Sequence, residues 1–298
     1  MLPLIAVVGA TATGKSELAI EAALRFDGEV INGDAMQFYR GMDVGTAKVP
    51  REEMRGVPHH LFDLLSVREE ASVADYQRLA REKVAEVRAR GKLPIVVGGS
   101  GLYVRALLDR IEFPGTDRAV RERFEQYLEN HGETALRELL RERDPQAAEA
   151  IRDPRRMVRA LEVHEVTGKP YTFFLPRYEY HDPATLQIGI RRPRPELHER
   201  VALRVERMYR DGLLEETRRL LDEGLAEGRT ASRAIGYAQA MEVLSGSMSE
   251  ADAIARTTVL TRKLVRKQDT WFGRDDRITW YEAENKTAVL ERIARDVA

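Results

Sequence analysis

Leu4-Ile5-Ala6-Val7-Val8-Gly9-Ala10-Thr11-Ala12-Thr13-Gly14-Lys15-Ser16 decides the fold. Its first five residues are apolar without alternation, the pattern of a strand buried on both faces. They run straight into G-x-x-x-x-G-K-[ST], Gly9 to Ser16, the pattern of a loop whose backbone N–H groups and following helix N-terminus surround a phosphate. Lys15 adds a point charge, and the Ser16 hydroxyl can ligate Mg²⁺. From Lys15 to Phe26, Leu18, Ala19, Ala22 and Ala23 recur at helical spacing until Asp27-Gly28, and Glu29-Val30-Ile31-Asn32 reads as a second strand. This βαβ order predicts a parallel sheet covered by helices. The expected class is α/β: a P-loop NTPase-like core with a parallel sheet flanked by helices, plus a small helical insertion domain.

Further along, an amphipathic helix from about Val73 to Arg90 leads into a buried strand, Leu93 to Val97, that ends in Gly98-Gly99-Ser100-Gly101. After Pro114-Gly115 the chain becomes helical and charge-rich. Val120, Phe124, Tyr127 and Leu128 share one helix face, and a second helix lies near Leu136 to Arg143. The expected division is a first part of the core over 1–115, a helical insertion over 116–150, and a return to the core with C-terminal helices over 151–298. Leu186 to Ile190 reads as a returning strand and Arg277 to Tyr281 as a last edge strand.

The 298 residues carry 48 Lys+Arg against 49 Asp+Glu, a net charge of −1, so a polyanion has to be met by local clusters. The absence of Cys excludes disulfides and Cys-ligated zinc and makes a reducing cytoplasm the expected setting. Met1 to Val8 reads as a strand and not a leader, and no run approaches the roughly 18 apolar residues of a membrane helix.

The phosphate loop alone names no reaction. Where hydrolytic ATPases usually end the Leu93–Val97 strand in an acidic residue, this chain has Gly98-Gly99-Ser100, and Asn285-Lys286 lacks the following Asp of a guanine-specificity motif. Asp34, just past the second strand, projects from the carboxyl edge of the sheet as a candidate base or hydrogen-bond acceptor for a nucleophile. It would equally serve as a turn cap. A small-molecule kinase has the same loop and the same Asp. Arg152, Arg156 and Arg159 recur at i, i+4 and i+7, and Arg262, Lys263, Arg266 and Lys267 cluster; each set is a solvated face or a phosphate track. Trp271 and Phe272 read as core.

Longer motifs separate these readings. Asp34-Ala35-Met36-Gln37-Phe38-Tyr39-Arg40-Gly41-Met42-Asp43-Val44-Gly45-Thr46-Ala47-Lys48, Pro58-His59-His60-Leu61, Gly98-Gly99-Ser100-Gly101-Leu102-Tyr103, the stretch from Arg155 to Val163, Ile235-Gly236-Tyr237, and Lys267-Gln268-Asp269-Thr270-Trp271-Phe272 together resemble the tRNA dimethylallyltransferase family over nearly the whole chain. Ala10 stands where that family usually has Pro, Ala35 where it has Ser, and Ser100 where it has Thr. The resemblance implies attack by the N6 amine of the adenosine 3′ of the anticodon (position 37) on C1 of dimethylallyl pyrophosphate. It implies catalytic roles for Asp34, Lys15, Ser16, Ser100 and Arg204, the last in an R-x-x-x-R pair with Arg200. It also implies pyrophosphate or nucleotide binding by Gly9, Ala10, Thr11, Ala12, Thr13, Gly14, Lys15 and Ser16, with Mg²⁺ at Ser16. Contact with the tRNA anticodon stem-loop is implied for Asp34, Ala35, Met36, Gln37, Ser100, Arg121, Arg155, Arg156, Met157, Val158 and Arg159, by a chain expected to act as a monomer.

Overall fold

All five residues of β1 (Leu4–Val8) are buried, as a strand flanked on both sides and both faces requires. The computed structural model describes residues 2–174 and 178–297. Its contacts divide the chain into two units, Met1–Leu108 with Tyr180–Ala298, and Asp109–Glu179.

In the first unit β1 is followed by α1 (Lys15–Phe26), β2 (Gly28–Asn32), β3 (His59–His60), α2 (Val73–Ala89), β4 (Leu93–Gly98) and α3 (Gly101–Leu108). The chain returns as β5 (Thr185–Arg191), α6 (Arg194–Arg210), α7 (Leu213–Asp222), α8 (Tyr237–Leu244), α9 (Glu250–Phe272), β6 (Thr279–Glu282) and α10 (Lys286–Val297). The strands form one six-stranded sheet in the order β3-β2-β4-β1-β5-β6, with every pairing parallel. The expected α/β class, the returning strand and the edge strand are all present. One core joins the sheet to α1 and α10 through Ile5, Val7, Leu18, Ala22, Ile95, Ile188, Val289 and Ile293. A second, around Tyr39, Met42, Leu213 and Tyr237, packs α6 to α9 against the segment after β2.

The second unit holds the helices α4 (Arg118–Arg143) and α5 (Pro154–Thr167), with the short helix Pro145–Ala150 between them. The first is interrupted at Gly132, which matches the two helices read there. This unit spans Asp109–Glu179, wider than the 116–150 expected for the insertion. The difference lies in the helix Pro154–Thr167: its apolar face, Met157, Val158, Ala160 and Leu161, packs on Phe124, Leu136 and Leu140 of the first helix, so it completes this small core. Helical periodicity shows that a face is buried but does not name its partner. Among the described residues no helix is long and apolar enough to cross a membrane.

Candidate active site

Register fixes where the loops meet. Val8 of β1 lies opposite Gly98 of β4, Asn32 of β2 opposite Val97, and the Gly33 N–H donates to the Val97 carbonyl at 2.8 Å. Gly9, Asp34 and Ser100 therefore leave the sheet together at its carboxyl edge, where open α/β sheets bind ligands.

Gly9 takes φ 136°, and a Cβ there would stand 2.4 Å from the Ile190 carbonyl oxygen, so the chain can turn beside β5 only with glycine. The loop folds back on itself: Thr13 Oγ1 and Lys15 Nζ both donate to the Ala10 carbonyl, at 2.9 and 2.5 Å. Lys15 is buried, and that burial, followed by repulsion from Arg204, lowers its ammonium to about 8 against an opposing pull from Asp34. Ser16 is exposed on the first turn of α1, and its hydroxyl has no partner among the described residues. A single free hydroxyl at a helix N-terminus suits a divalent cation that takes its other ligands from phosphate and water.

Three arginines grip the loop from outside. Arg192 Nε donates to the Thr13 carbonyl at 3.2 Å, Arg200 Nε to the Ala12 carbonyl at 3.0 Å, and Arg204 Nη1 to Thr11 Oγ1 at 3.1 Å. Burial, Arg200 and Arg207 hold the Arg204 guanidinium below its ordinary value. Gln268 of α9 spans two loops, accepting from the Thr11 N–H at 2.9 Å and donating from Nε2 to the Gly99 carbonyl at 3.0 Å.

Asp34 takes the capping role that its position allowed and keeps one carboxylate oxygen open. As a cap, its Oδ1 accepts from the Met36 N–H at 3.1 Å, and Ser100 Oγ lies 3.5 Å away while itself accepting from the Ala35 N–H at 3.1 Å. Burial raises the Asp34 carboxyl, against the lowering effects of the Met36 N–H, Lys15 and Ser100. Its second oxygen has no partner among the described residues. Asn32 sets the turn by accepting from the Asp34 N–H at 2.8 Å and donating to the Asp34 and Leu61 carbonyls. Ala35, Met36 and Gln37 follow on a half-buried 3₁₀ turn, where Gln37 Nε2 donates to the Thr46 carbonyl at 3.1 Å.

The expected RNA-contacting residues of the second unit fall into two sets. Arg155 and Arg156, with Arg152, are exposed, and their guanidiniums have no partner among the described residues. Arg121 and Arg159 instead converge on Glu162, which is fully buried: Arg121 donates from Nε at 2.9 Å and Nη2 at 3.2 Å, and Arg159 Nη1 lies 2.8 Å away. Arg159 also donates to the Pro114 and Gly115 carbonyls. Met157 and Val158 face the unit's core, 0% and 3% exposed, because the repeat that aligns the arginines outward turns them inward. Phe272 is buried as expected, whereas Trp271 is 38% exposed.

Sequence reasoning missed Asn32, Arg192 and the bridging role of Gln268. Gln268 sat inside a motif already noted; Asn32 is the last residue of β2 and Arg192 the first after β5, and neither carries a group that singles it out in the sequence.

A model of the IPP transferase family matches residues 37–275. The chain is 55% identical to the tRNA dimethylallyltransferase of a Nocardioides species, over 98% of this chain and 95% of that protein, and 54% identical to that of Pseudarthrobacter chlorophenolicus over 96% of each. Among solved structures, the full-length tRNA isopentenylpyrophosphate transferase of Bacillus halodurans is 36% identical with a TM-score of 0.73, covering 100% of this chain and 97% of that one. A eukaryotic dimethylallyltransferase acting on tRNA gives a TM-score of 0.81 at 26% identity, covering 96% of this chain and 75% of that one. A family model over residues 37–275 and a relative more than half identical over nearly its full length leave one conclusion: the chain belongs to the IPP transferase family, the tRNA dimethylallyltransferases.

Proposed function

We propose that this enzyme joins C1 of dimethylallyl pyrophosphate to N6 of the adenosine at position 37 of tRNA and releases pyrophosphate. The observation that carries the assignment of roles is the meeting of Asp34 and Ser100 with the phosphate loop, Lys15 and Arg204 at one edge of the sheet.

The C–O bond to pyrophosphate breaks as the N6–C1 bond forms, and the developing negative charge sits on the leaving group. Cations and hydroxyls fixed around it are therefore the main catalytic contribution. Lys15, Arg204 and Ser100 take that part, and the N–H groups between Gly9 and Gly14 other than that of Thr11, which Gln268 engages, cradle the diphosphate. Enzymes of this family use a divalent metal cation; here Ser16 would hold Mg²⁺, which when bound supplies further charge neutralisation to the pyrophosphate. Asp34 accepts the amine proton as the new bond forms, since N6 with four bonds is a cationic ammonium and must lose one proton to become the neutral secondary amine. The adenine reaches it by leaving the anticodon-loop stack, against Ala35, Met36 and Gln37. In the second unit, Arg152, Arg155 and Arg156 bind RNA phosphates. One chain supplies every group named, so it acts as a monomer, and the absence of Cys suits the cytoplasm.

A kinase would also use the loop and Asp34, but it leaves the Asp34–Lys48 and Lys267–Phe272 stretches without a purpose. The test is direct: incubate the protein with Mg²⁺, dimethylallyl pyrophosphate and unmodified tRNA, then weigh the nucleosides. Prenylated adenosine is expected. Its absence, together with ATP-dependent phosphorylation of a small alcohol, would overturn the reading.

A further inference from the structure

The site described above uses only the first residues of the Asp34–Lys48 stretch. What holds the remainder lies behind it. Glu216 of α7 is 6% exposed and pairs with no cation among the described residues. Its Oε2 accepts from the Asp43 and Val44 N–H groups at 3.1 and 2.9 Å, and its Oε1 from the Gly45 N–H at 3.2 Å and the Tyr237 hydroxyl at 2.5 Å. Three successive N–H groups facing one point make an anion nest, filled here by the chain's own carboxylate. Burying that carboxylate without a counter-ion is costly, and its four donors offset the cost only while residues 43–45 keep this conformation.

Tyr237 holds the other side. Burial, and then the charge of Glu216, keep its phenol protonated far above the ordinary range, so it remains a donor. A Cβ on Gly45 would stand 2.4 Å from its ring, so the backbone lies flat on Tyr237 and only glycine allows it. The contacts then lead to Asp34. Thr46, next after Gly45, accepts from Gln37 Nε2 at 3.1 Å, and the Gln37 N–H donates to the Asp34 carbonyl at 3.2 Å. Lys48 Nζ ties the far end to the Tyr39 carbonyl at 2.6 Å and to Asp43 Oδ1 at 2.8 Å.

We infer that Glu216 is a positioning residue for prenyl transfer, which fixes residues 43–45 and, through Thr46 and Gln37, the turn that aims Asp34 at the acceptor amine. The inference rests on the reading of Asp34 given above. Glu216 touches none of the residues assigned to the pyrophosphate, so disturbing it should alter the acceptor side of the reaction alone.

Glu216→Gln keeps the volume but turns an amide NH₂ toward N–H groups that need an acceptor. With tRNA and dimethylallyl pyrophosphate saturating, its single-turnover rate should fall on the order of tenfold or more, because small misplacements of a reacting group are amplified in the rate. The Kd for dimethylallyl pyrophosphate should stay within about twofold, since that contact set is untouched. Amide hydrogen exchange at residues 43–45 should quicken. Tyr237→Phe, which leaves the carboxylate and three N–H groups in place, should show the same pattern more weakly. Faster exchange at 43–45 with an unchanged rate would overturn the inference. So would a parallel loss of pyrophosphate affinity and Tm, which marks a purely structural role. Wild-type protein run alongside separates the two readings: no prenylation by wild type removes both, whereas active wild type with an unaffected Glu216→Gln removes this one alone.

Discussion

Cationic side chains gather in two regions of this molecule, and they do so by different physics. Around the phosphate loop, Lys15, Arg200 and Arg204 donate to carbonyl and hydroxyl oxygens and have no carboxylate partner among the described residues. In the helical unit, Arg121 and Arg159 share the buried carboxylate of Glu162, while Arg152, Arg155 and Arg156 stand in solvent. In the first region Arg192 is paired with Glu196 and Glu284, while Lys15, Arg200 and Arg204 hold positive charge left for a ligand. In the second, the protein neutralises part of its own charge and leaves the rest to water or RNA. Position in a cationic cluster therefore says little until the nearest anion is known.

The comparison can be broken at several points. Asp34, beside the first region, should give the largest effect: Asp34→Asn keeps size and a carbonyl acceptor but cannot take a proton, so single-turnover transfer should fall by about 10²–10⁴-fold with both substrates still bound. A base works in its ionised form and burial raises the Asp34 carboxyl, so the rate should drop on the acid side, beginning at a higher pH than for an unburied carboxyl. That limb should be missing in Asp34→Asn. Near-wild-type rates would leave pyrophosphate departure as the whole of catalysis.

Next come the cations. Lys15→Ala should cost on the order of 10²–10³-fold in kcat if the ammonium meets charge that develops only in the transition state. Its lowered value, about 8, adds a sign that can be checked. The ammonium form binds pyrophosphate, so in the free protein affinity should weaken as pH rises through about 8, with proton uptake on binding above it. Calorimetry in buffers of differing ionisation enthalpy would read that uptake, and its absence would show that Lys15 is not the titrating contact.

A smaller effect, on stability, is expected in the second region. Glu162→Gln leaves two guanidiniums without their buried partner and should cost roughly 3–5 kcal/mol, read from urea unfolding. An unchanged midpoint would mean that Arg121 and Arg159 are as free as their neighbours. The smallest change should follow replacement of Arg155 and Arg156 together by Ala: pyrophosphate binding stays, KM for tRNA rises, and the slope of log K against log salt flattens by about one per lost phosphate contact. Arg121 and Arg159 replaced together should change stability far more than that slope. Equal flattening by both pairs would erase the distinction between the regions.

Much of the fold was legible because its signals are local. β1, the loop and α1 each follow from spacing within a few residues, and α1 begins and ends where the pattern did, at Lys15 and Phe26. Asp34 was legible as a candidate because a carboxylate just past a strand that flanks a phosphate loop is placed at the ligand-binding edge of the sheet. The helix Pro154–Thr167 was misassigned to the core because its apolar face fits any apolar partner, and only packing on Phe124, Leu136 and Leu140 settled which.

By itself the sequence determined the phosphate loop, the parallel sheet and, through motifs spread over most of its length, the family. These depend on which side chains and backbone torsions are available in order along the chain. The tertiary structure alone decided that Arg159 meets Glu162 while Arg156 stands exposed, that Gln268 joins two loops from 169 and 257 positions away, and that Glu216 closes on residues 43–45 from more than 170 positions away. Such pairings follow from which donors and acceptors folding brings within about 3 Å, a distance that separation along the chain does not encode.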